Sequence, residues 1–264
     1  MGELIFIGLG LHDEYGMSLR GQLEARSCDI LFAEFYTSRM PGLNVDRLER
    51  LVGKKVQLVS RREVEEGAED IILSKAETGR VGFLVPGDPL VATTHVDLRL
   101  RALRSGIGSR IIHAGSVISA AAGVTGLQSY KFGRTTTVPV SYEGEFPVSV
   151  IQAIASNLTA GLHSLVLLEI DVENQQFVSI PAALKLLWAN SKNIPESPIA
   201  DATLVVGLAR LEAPDMQVMA GRLVDVMRIE FGEPPYLLIF PGKLHFVEAE
   251  ALHLICHAPK ELVS

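Results

Sequence analysis

Four short segments of this 264-residue chain combine glycine, proline and oxygen-bearing side chains in ways that suit a small charged ligand. Pro86-Gly87-Asp88-Pro89 is the sharpest. Its two prolines stiffen the backbone, and the glycine between them lets main-chain atoms approach a ligand closely. Asp88 then offers a carboxylate from a fixed place. Taken alone, the tetrapeptide reads equally as a turn whose Asp caps the next helix. Three further segments give it company: Gly8-Leu9-Gly10-Leu11, Glu34-Phe35-Tyr36-Thr37-Ser38 and His113-Ala114-Gly115-Ser116-Val117. Each follows an apolar run that reads as a strand, and open α/β sheets bind ligands beyond the carboxyl ends of their strands.

Familiar motifs are missing. Gly8-Leu9-Gly10 invites a dinucleotide reading, but Asp13 stands where that fingerprint needs a small residue, and its charge would repel a pyrophosphate. The chain has no Gly-Lys-Ser/Thr phosphate loop, no Gly-x-Ser-x-Gly elbow and no His-Glu-x-x-His helix. His253, Cys256 and His257 have the spacing of one helix face, yet no further ligand stands near them. With Leu252, Leu254 and Ile255 among them they read as an ordinary docking helix, and no metal is expected.

The elements that must position these segments follow from the apolar pattern. Leu4 to Ile7, Ile30 to Ala33, Val56 to Val59, Val81 to Val85 and Ile111-Ile112 read as buried strands. Between them run helices, one carrying Val45, Leu48 and Val52. Another sets Val96, Leu100 and Leu103 against a charged face of Asp97, Arg101 and Arg104. Continuous apolar strands alternating with helices imply a parallel sheet covered on both sides. Ala114 to Gly133 is rich in Gly, Ser and Ala and reads as a tight connection between lobes. Beyond it, strands are expected at Thr135 to Val140, Leu165 to Ile170, Thr203 to Leu208 and Tyr236 to Phe240. Helices are expected through Ile151, Ile154 and Leu158, closed by Gly161, and from an N-cap at Ser179 with Pro181 in the first turn. The second helix buries Ile180, Leu184, Leu187 and Trp188, and a closing helix carries Val247, Ala251 and Leu254. Two α/β domains result, 1–113 with a mostly parallel sheet and 114–264 with a mixed one, and an active-site cleft between them.

With 48% hydrophobic and 21% charged residues the chain is neither disordered nor, with Cys28 and Cys256 alone, a disulfide scaffold. No apolar stretch reaches the roughly 18 residues of a membrane span. Glu3, with no basic segment, precedes the first apolar run, so a secretory signal is not expected and the setting is cytoplasmic. The net charge is −7, its acidic excess lying almost wholly after residue 115. Phosphate neutralisation needs surplus Lys and Arg, so nucleic acid is not the expected partner. Arg99, Arg101, Arg104 and Arg110 could form a basic patch for RNA, but three of them lie in a helix whose charged side ordinarily meets water.

The ordered set of segments resembles a known family. The first glycine loop, the Gly-Asp-Pro turn and His113-Ala114-Gly115-Ser116-Val117-Ile118-Ser119 are similar to the tetrapyrrole-methylase class of S-adenosylmethionine-dependent methyltransferases. Within that class, Phe32 to Ser38, Pro86 to His95 and Pro241-Gly242-Lys243-Leu244-His245 resemble the diphthine synthases. The resemblance runs from the first strand to the final helix. It implies a homodimer of two-domain subunits that methylates, in succession, the amino group of a modified histidine in translation elongation factor 2, giving diphthine on the route to diphthamide. It implies S-adenosyl-L-methionine as methyl donor, held by Leu11, Asp88, Val91, Ser116, Val117, Leu168, Leu211 and Tyr236. Tyr236 stands where some relatives carry His.

The donor's sulfonium and amino-acid tail call for oxygen acceptors such as Asp88 and Ser116, while its adenine suits a slot of the Leu168 and Leu211 kind. Glu34, Tyr36 and Asp88 are candidates for receiving the proton that the substrate amine must lose, beside bulk water. Phe35 and Tyr36 are candidate walls for a growing methylammonium group. Two other readings stay open at this stage. One is a methyltransferase of the same class acting on a corrin precursor; the other is a non-catalytic nucleotide-binding module.

Overall fold

A computed structural model of the chain describes residues 2–141, 146–172, 174–194 and 197–264. The chain divides into two compact units, Met1–Val117 and Ile118–Ser264.

In the first unit β1 (Glu3–Gly8), β2 (Ile30–Ala33), β3 (Val56–Leu58), β4 (Arg80–Val85) and β5 (Gly108–Ile112) alternate with α1 (Leu19–Ser27), α2 (Val45–Val52), α3 (Arg61–Glu65), α4 (Ser74–Ala76) and α5 (His95–Arg104). The strands form one sheet in the order β3-β2-β4-β1-β5, parallel throughout. Pleating sends alternate side chains to opposite faces. Ile5 and Ile7 therefore join Leu31, Ala33, Leu48 and Val52 under α1 and α2, whereas Leu4 and Phe6 join Phe32, Phe83, Ile72, Leu98 and Ala102 on the other face. Both faces of the inner strands β1, β2 and β4 are apolar and covered, so these carry no polar alternation, whereas the edge strands β3 and β5 expose Gln57 and Arg110.

One helix sits differently from its sequence reading. In α5 the buried residues are His95, Leu98 and Ala102, while Val96, Leu100 and Leu103 are 53%, 44% and 48% exposed. Both sets have helical spacing, so periodicity could not choose between them. The His95 ring decides it, packing edge-on against Phe83 with centroids 5.2 Å apart. Two of the basic residues near this helix are engaged as well. Arg101 pairs with Glu69 and Asp97, and Arg110 with Glu3 and Glu24.

The segment read as a plain connection carries a helix, α6 (Val117–Thr125). There follow β6 (Thr136–Val138), α7 (Val148–Thr159), β7 (Ser164–Leu168), β8 (Ile170–Asp171), β9 (Gln176–Phe177), α8 (Ile180–Ser191), β10 (Leu204–Ala209), β11 (Gln217–Arg222), α9 (Leu223–Val226), β12 (Tyr236–Phe240), α10 (Phe246–Ile255) and α11 (Lys260–Val263). The second sheet runs β11-β10-β12-β7-β6, antiparallel except for the β6–β7 pair, so it is mixed as expected. The expected strand through Ile170 breaks at Glu169, and Ile170 with Asp171 pairs with β9 as a two-residue ladder. Strand β11 lacks a clean period-2 pattern and was not anticipated. Helix α8 starts as read, with the Ser179 side chain accepting from the Ala182 N–H at 3.3 Å. Ile151, Ile154, Leu184 and Leu187 from α7 and α8 share one core with Val166, Leu238 and Phe240 of the sheet, while Trp188 packs at its edge. Among the described residues no helix is long and apolar enough to cross a membrane.

Candidate functional site

Strands β4, β1 and β5 are neighbours and parallel, so their carboxyl ends lie side by side, with Gly8 opposite Val85 and Ile7 opposite Ile112. The turns that leave them interlock. Gly10 N–H donates to the Gly87 carbonyl at 3.3 Å and Gly87 N–H to that of Gly10 at 2.7 Å. Both glycines hold positive φ, 81° and 69°, a region that side chains disfavour. A Cβ on Gly8 would stand 2.6 Å from the Gly87 carbonyl oxygen and 2.7 Å from the Ala114 methyl, so only glycine lets the three turns meet. Over Gly87 itself there is room, the nearest atoms being the Gly115 carbonyl oxygen at 3.9 Å and a Leu11 methyl at 4.0 Å. Main-chain groups are thus presented without a side chain over them.

Asp88 is 7% exposed and doubly held. Its Oδ2 accepts from His113 Nδ1 at 2.7 Å and its Oδ1 from the Leu90 N–H at 3.4 Å, while its carbonyl accepts from Val91 N–H at 3.2 Å. Leu11 is buried beside the turn, and Ser116 and Val117 lead from the β5 turn into α6. Leu11, Asp88, Val91, Ser116 and Val117 therefore gather at one end of the parallel sheet.

Next to them the turn after β2 folds on its own carboxylate. Glu34 is fully buried and accepts from the Tyr36 and Thr37 N–H groups, both at 3.0 Å, and from the Thr37 hydroxyl at 2.5 Å. Burial outweighs these donors and pushes its carboxyl up to about 7. His95, 1% exposed, stands 3.6 Å from Glu34 through Nε2, and burial pushes its imidazole down to about 4. Tyr36 is 5% exposed, its hydroxyl 3.3 Å from His95 Nε2 and the Arg61 guanidinium 5.3 Å from its ring centre. Glu34 and Tyr36 thus come together; Phe35 is half-buried beside the other core. His95 had no role assigned from sequence. The only signal for it was its place at the end of the Pro86–His95 segment.

In the second unit Leu168 ends β7, Tyr236 opens β12 and Leu211 follows β10. Antiparallel pairing of β12 with both neighbours brings all three to the same end of that sheet. All are buried, at 6%, 6% and 5% exposure. The Tyr236 hydroxyl donates to the Gly232 carbonyl, which is its polar partner on this side. Leu211 lies between Arg210 and Glu212, which both take left-handed backbone at φ 51° and 66°. Arg210 secures that corner. Its guanidinium donates to the Phe231, Glu233 and Asp215 carbonyls at 2.5, 2.6 and 2.9 Å. Sequence reasoning missed it, since a left-handed arginine carries no glycine-like signal.

Pro241 to His245 serves a buried clasp. Glu248 accepts from the His245 and Gln128 N–H groups at 2.8 and 2.9 Å, from His163 Nε2 at 2.9 Å and from the Lys131 ammonium. Burial alone would raise its carboxyl, but these donors hold it down at about 2. Of the three residues with metal-like spacing, His253 Nδ1 donates to the Ala258 carbonyl at 2.8 Å, Cys256 is buried with its thiol pushed up to about 12, and His257 takes φ 59°.

Comparison with known proteins gives the family. The family model of tetrapyrrole (corrin/porphyrin) methylases matches residues 3–203. A diphthine synthase of Methanosarcina mazei is 44% identical over 98% of each chain, and one of Methanothermobacter thermautotrophicus is 41% identical over 98% of each. A crystal structure of diphthine synthase superposes with a TM-score of 0.88 at 32% identity, covering 99% of this chain and 98% of the other.

Proposed function

This chain belongs to the tetrapyrrole methylase family, within its diphthine synthase branch, and from that we propose that it is the methyltransferase that converts the modified histidine of translation elongation factor 2 to diphthine. The single observation that carries the reading is full-length likeness to diphthine synthases combined with three interlocked turns around an anchored Asp88. That likeness, with the Glu34 to Ser38 turn, favours the protein substrate over a corrin precursor, and methyltransferase membership speaks against a non-catalytic module. S-adenosyl-L-methionine supplies an electrophilic methyl group on a sulfonium cation.

The residues fit such a donor. Open main chain at Gly87 and the Asp88 carboxylate give acceptors for its ammonium and sulfonium, Ser116 adds a hydroxyl, and Leu11, Val91 and Val117 give apolar contact. In the second unit, the buried Leu168, Leu211 and Tyr236 offer apolar surface of the kind an adenine takes. What the chain contributes to the reaction is alignment. Holding an amine and a methyl group in line is worth about 7–11 kcal/mol in intramolecular analogues, so no strong base is required. Glu34 has its oxygens occupied by its own turn and shapes Tyr36, and the amine proton leaves to water. Tyr36 walls the acceptor side, where a methylated ammonium gains from an aromatic face, whereas Phe35 packs against the opposite core and is no part of that wall. The enzyme acts in the cytoplasm as a homodimer.

Mass spectrometry of elongation factor 2 bearing the unmethylated modified histidine, after incubation with the protein and S-adenosylmethionine, is the deciding experiment. Whole methyl increments on that residue support the proposal; methylation of a tetrapyrrole and not of the factor overturns it. Asp88→Ala serves as the site control. Losing a charge-assisted acceptor is expected to weaken calorimetric binding of S-adenosylhomocysteine by about 10- to 100-fold, and unchanged affinity would remove Asp88 from the donor site.

A further inference from the structure

His95 is buried and lies in α5, outside the residues assigned so far to donor or acceptor. Its ring spans two of the turns at the candidate site. Nδ1 is 3.2 Å from the Pro89 carbonyl oxygen and Nε2 is 3.3 Å from the Tyr36 hydroxyl. A carbonyl only accepts, so Nδ1 carries the proton and donates to Pro89. The neutral ring then leaves a lone pair on Nε2, and the Tyr36 hydroxyl must donate to it. The opposite tautomer would set a lone pair against the Pro89 oxygen at hydrogen-bond distance. Desolvation disfavours the doubly protonated ring, which has an edge-on Phe83 at 5.2 Å. Edge-on packing against both Phe83 and Tyr36, the latter with its ring centroid 6.2 Å away, leaves the imidazole little freedom to rotate.

We propose that His95 is a positioning residue for methyl transfer: it fastens the Gly87-Asp88-Pro89 turn to the Tyr36 hydroxyl, so that the turn assigned to the donor and the loop assigned to the acceptor are held in one register. The proposal rests on the methyltransferase reading and deepens it. Two hydrogen bonds from the two nitrogens of one rigid ring transmit position between turns that are not adjacent in the chain. They also orient Tyr36, whose hydroxyl has its proton committed to Nε2 and presents its lone pairs elsewhere.

The two halves of the link can be cut separately. An asparagine side chain reaches the place of Nδ1 and a glutamine that of Nε2. His95→Asn keeps a donor for Pro89 and drops Tyr36; His95→Gln keeps an acceptor for Tyr36 and drops Pro89. Neutral hydrogen bonds of this kind are each worth about a fivefold effect or somewhat more. His95→Asn and Tyr36→Phe are therefore expected to lower kcat for the elongation factor by roughly fivefold each. The double variant should be no worse than either, because both break one link. His95→Gln is expected instead to weaken S-adenosylhomocysteine binding by roughly fivefold, with kcat at saturating donor nearly retained. Thermal melts establish the folded fraction to which all rates are normalised.

Multiplying effects of His95→Asn and Tyr36→Phe overturn the proposal, as do unchanged rates and affinities per folded molecule in all variants. The donor arm separates this proposal from the wider one. If the unaltered protein binds S-adenosylhomocysteine but leaves the elongation factor unmodified, the substrate reading fails, and the His95→Gln affinity then decides the fastening by itself.

Discussion

Glu34 shows how little a side chain's type says about its state. The sequence offers a carboxylate in a loop, and an exposed one would be ionised at neutral pH. Burial instead lifts it to about 7 from an ordinary 4.5. A carboxyl raised in the folded state binds its proton more tightly there than in the unfolded chain, so its stabilising share is complete below about pH 4.5 and is lost as pH rises through 7. The shift corresponds to about 3 kcal/mol. Glu34→Gln, which cannot ionise, is expected to gain on the unaltered protein steadily between pH 5 and 8 in melting temperature. A difference that stays constant with pH would show that the carboxyl does not titrate in this range. The turn that carries Asp88 was legible beforehand, because Pro-Gly-Asp-Pro has its own geometry. The partners that fix it and its neighbours, His113 and His95, were not, since no local pattern says which distant side chain a loop will meet.

Helices and strands divide in the same way. The inner strands of the parallel sheet were readable because residues buried on both faces leave an unbroken apolar run, as in Leu4 to Ile7. Helix α5 was readable as a helix and misread as to face. Its exposed Leu100 and buried Leu98 lie on rival stripes of equal regularity, and the choice falls to what the sheet offers beneath it. Leu98→Ala is expected to cost about 2–5 kcal/mol and Leu100→Ala about 0.5 or less, by chemical denaturation. Equal losses would mean that the helix buries both faces. Strand β11 escaped notice because its residues satisfy pairing with β10 without displaying a period of two.

Across the chain as a whole, distant segments are tied by a few buried polar knots. Glu248 joins Gln128, Lys131 and His163 to the start of α10, a separation of 120 residues for Gln128. No pairing rule recovers such a knot from sequence. Its carboxyl lies below the usual range, so its contribution is present above about pH 4.5 and lost as pH falls towards 2. Glu248→Gln is expected to lower stability by about 3 kcal/mol at neutral pH and to converge on the unaltered protein in acid. A deficit independent of pH would assign Glu248 a packing role instead. The order of the segments along the chain, by contrast, was enough to recognise the family, because it records every strand end at once.

The interlocked glycines have an evolutionary corollary. Amide and carbonyl groups are common to all residues, so a surface made from them is inherited intact through nearly every codon change that leaves the backbone path alone. Novelty must therefore arise on the neighbouring loop that carries Phe35 and Tyr36, where a single replacement alters both shape and charge preference. One rim of such an enzyme stays old while the other is free to learn a new client.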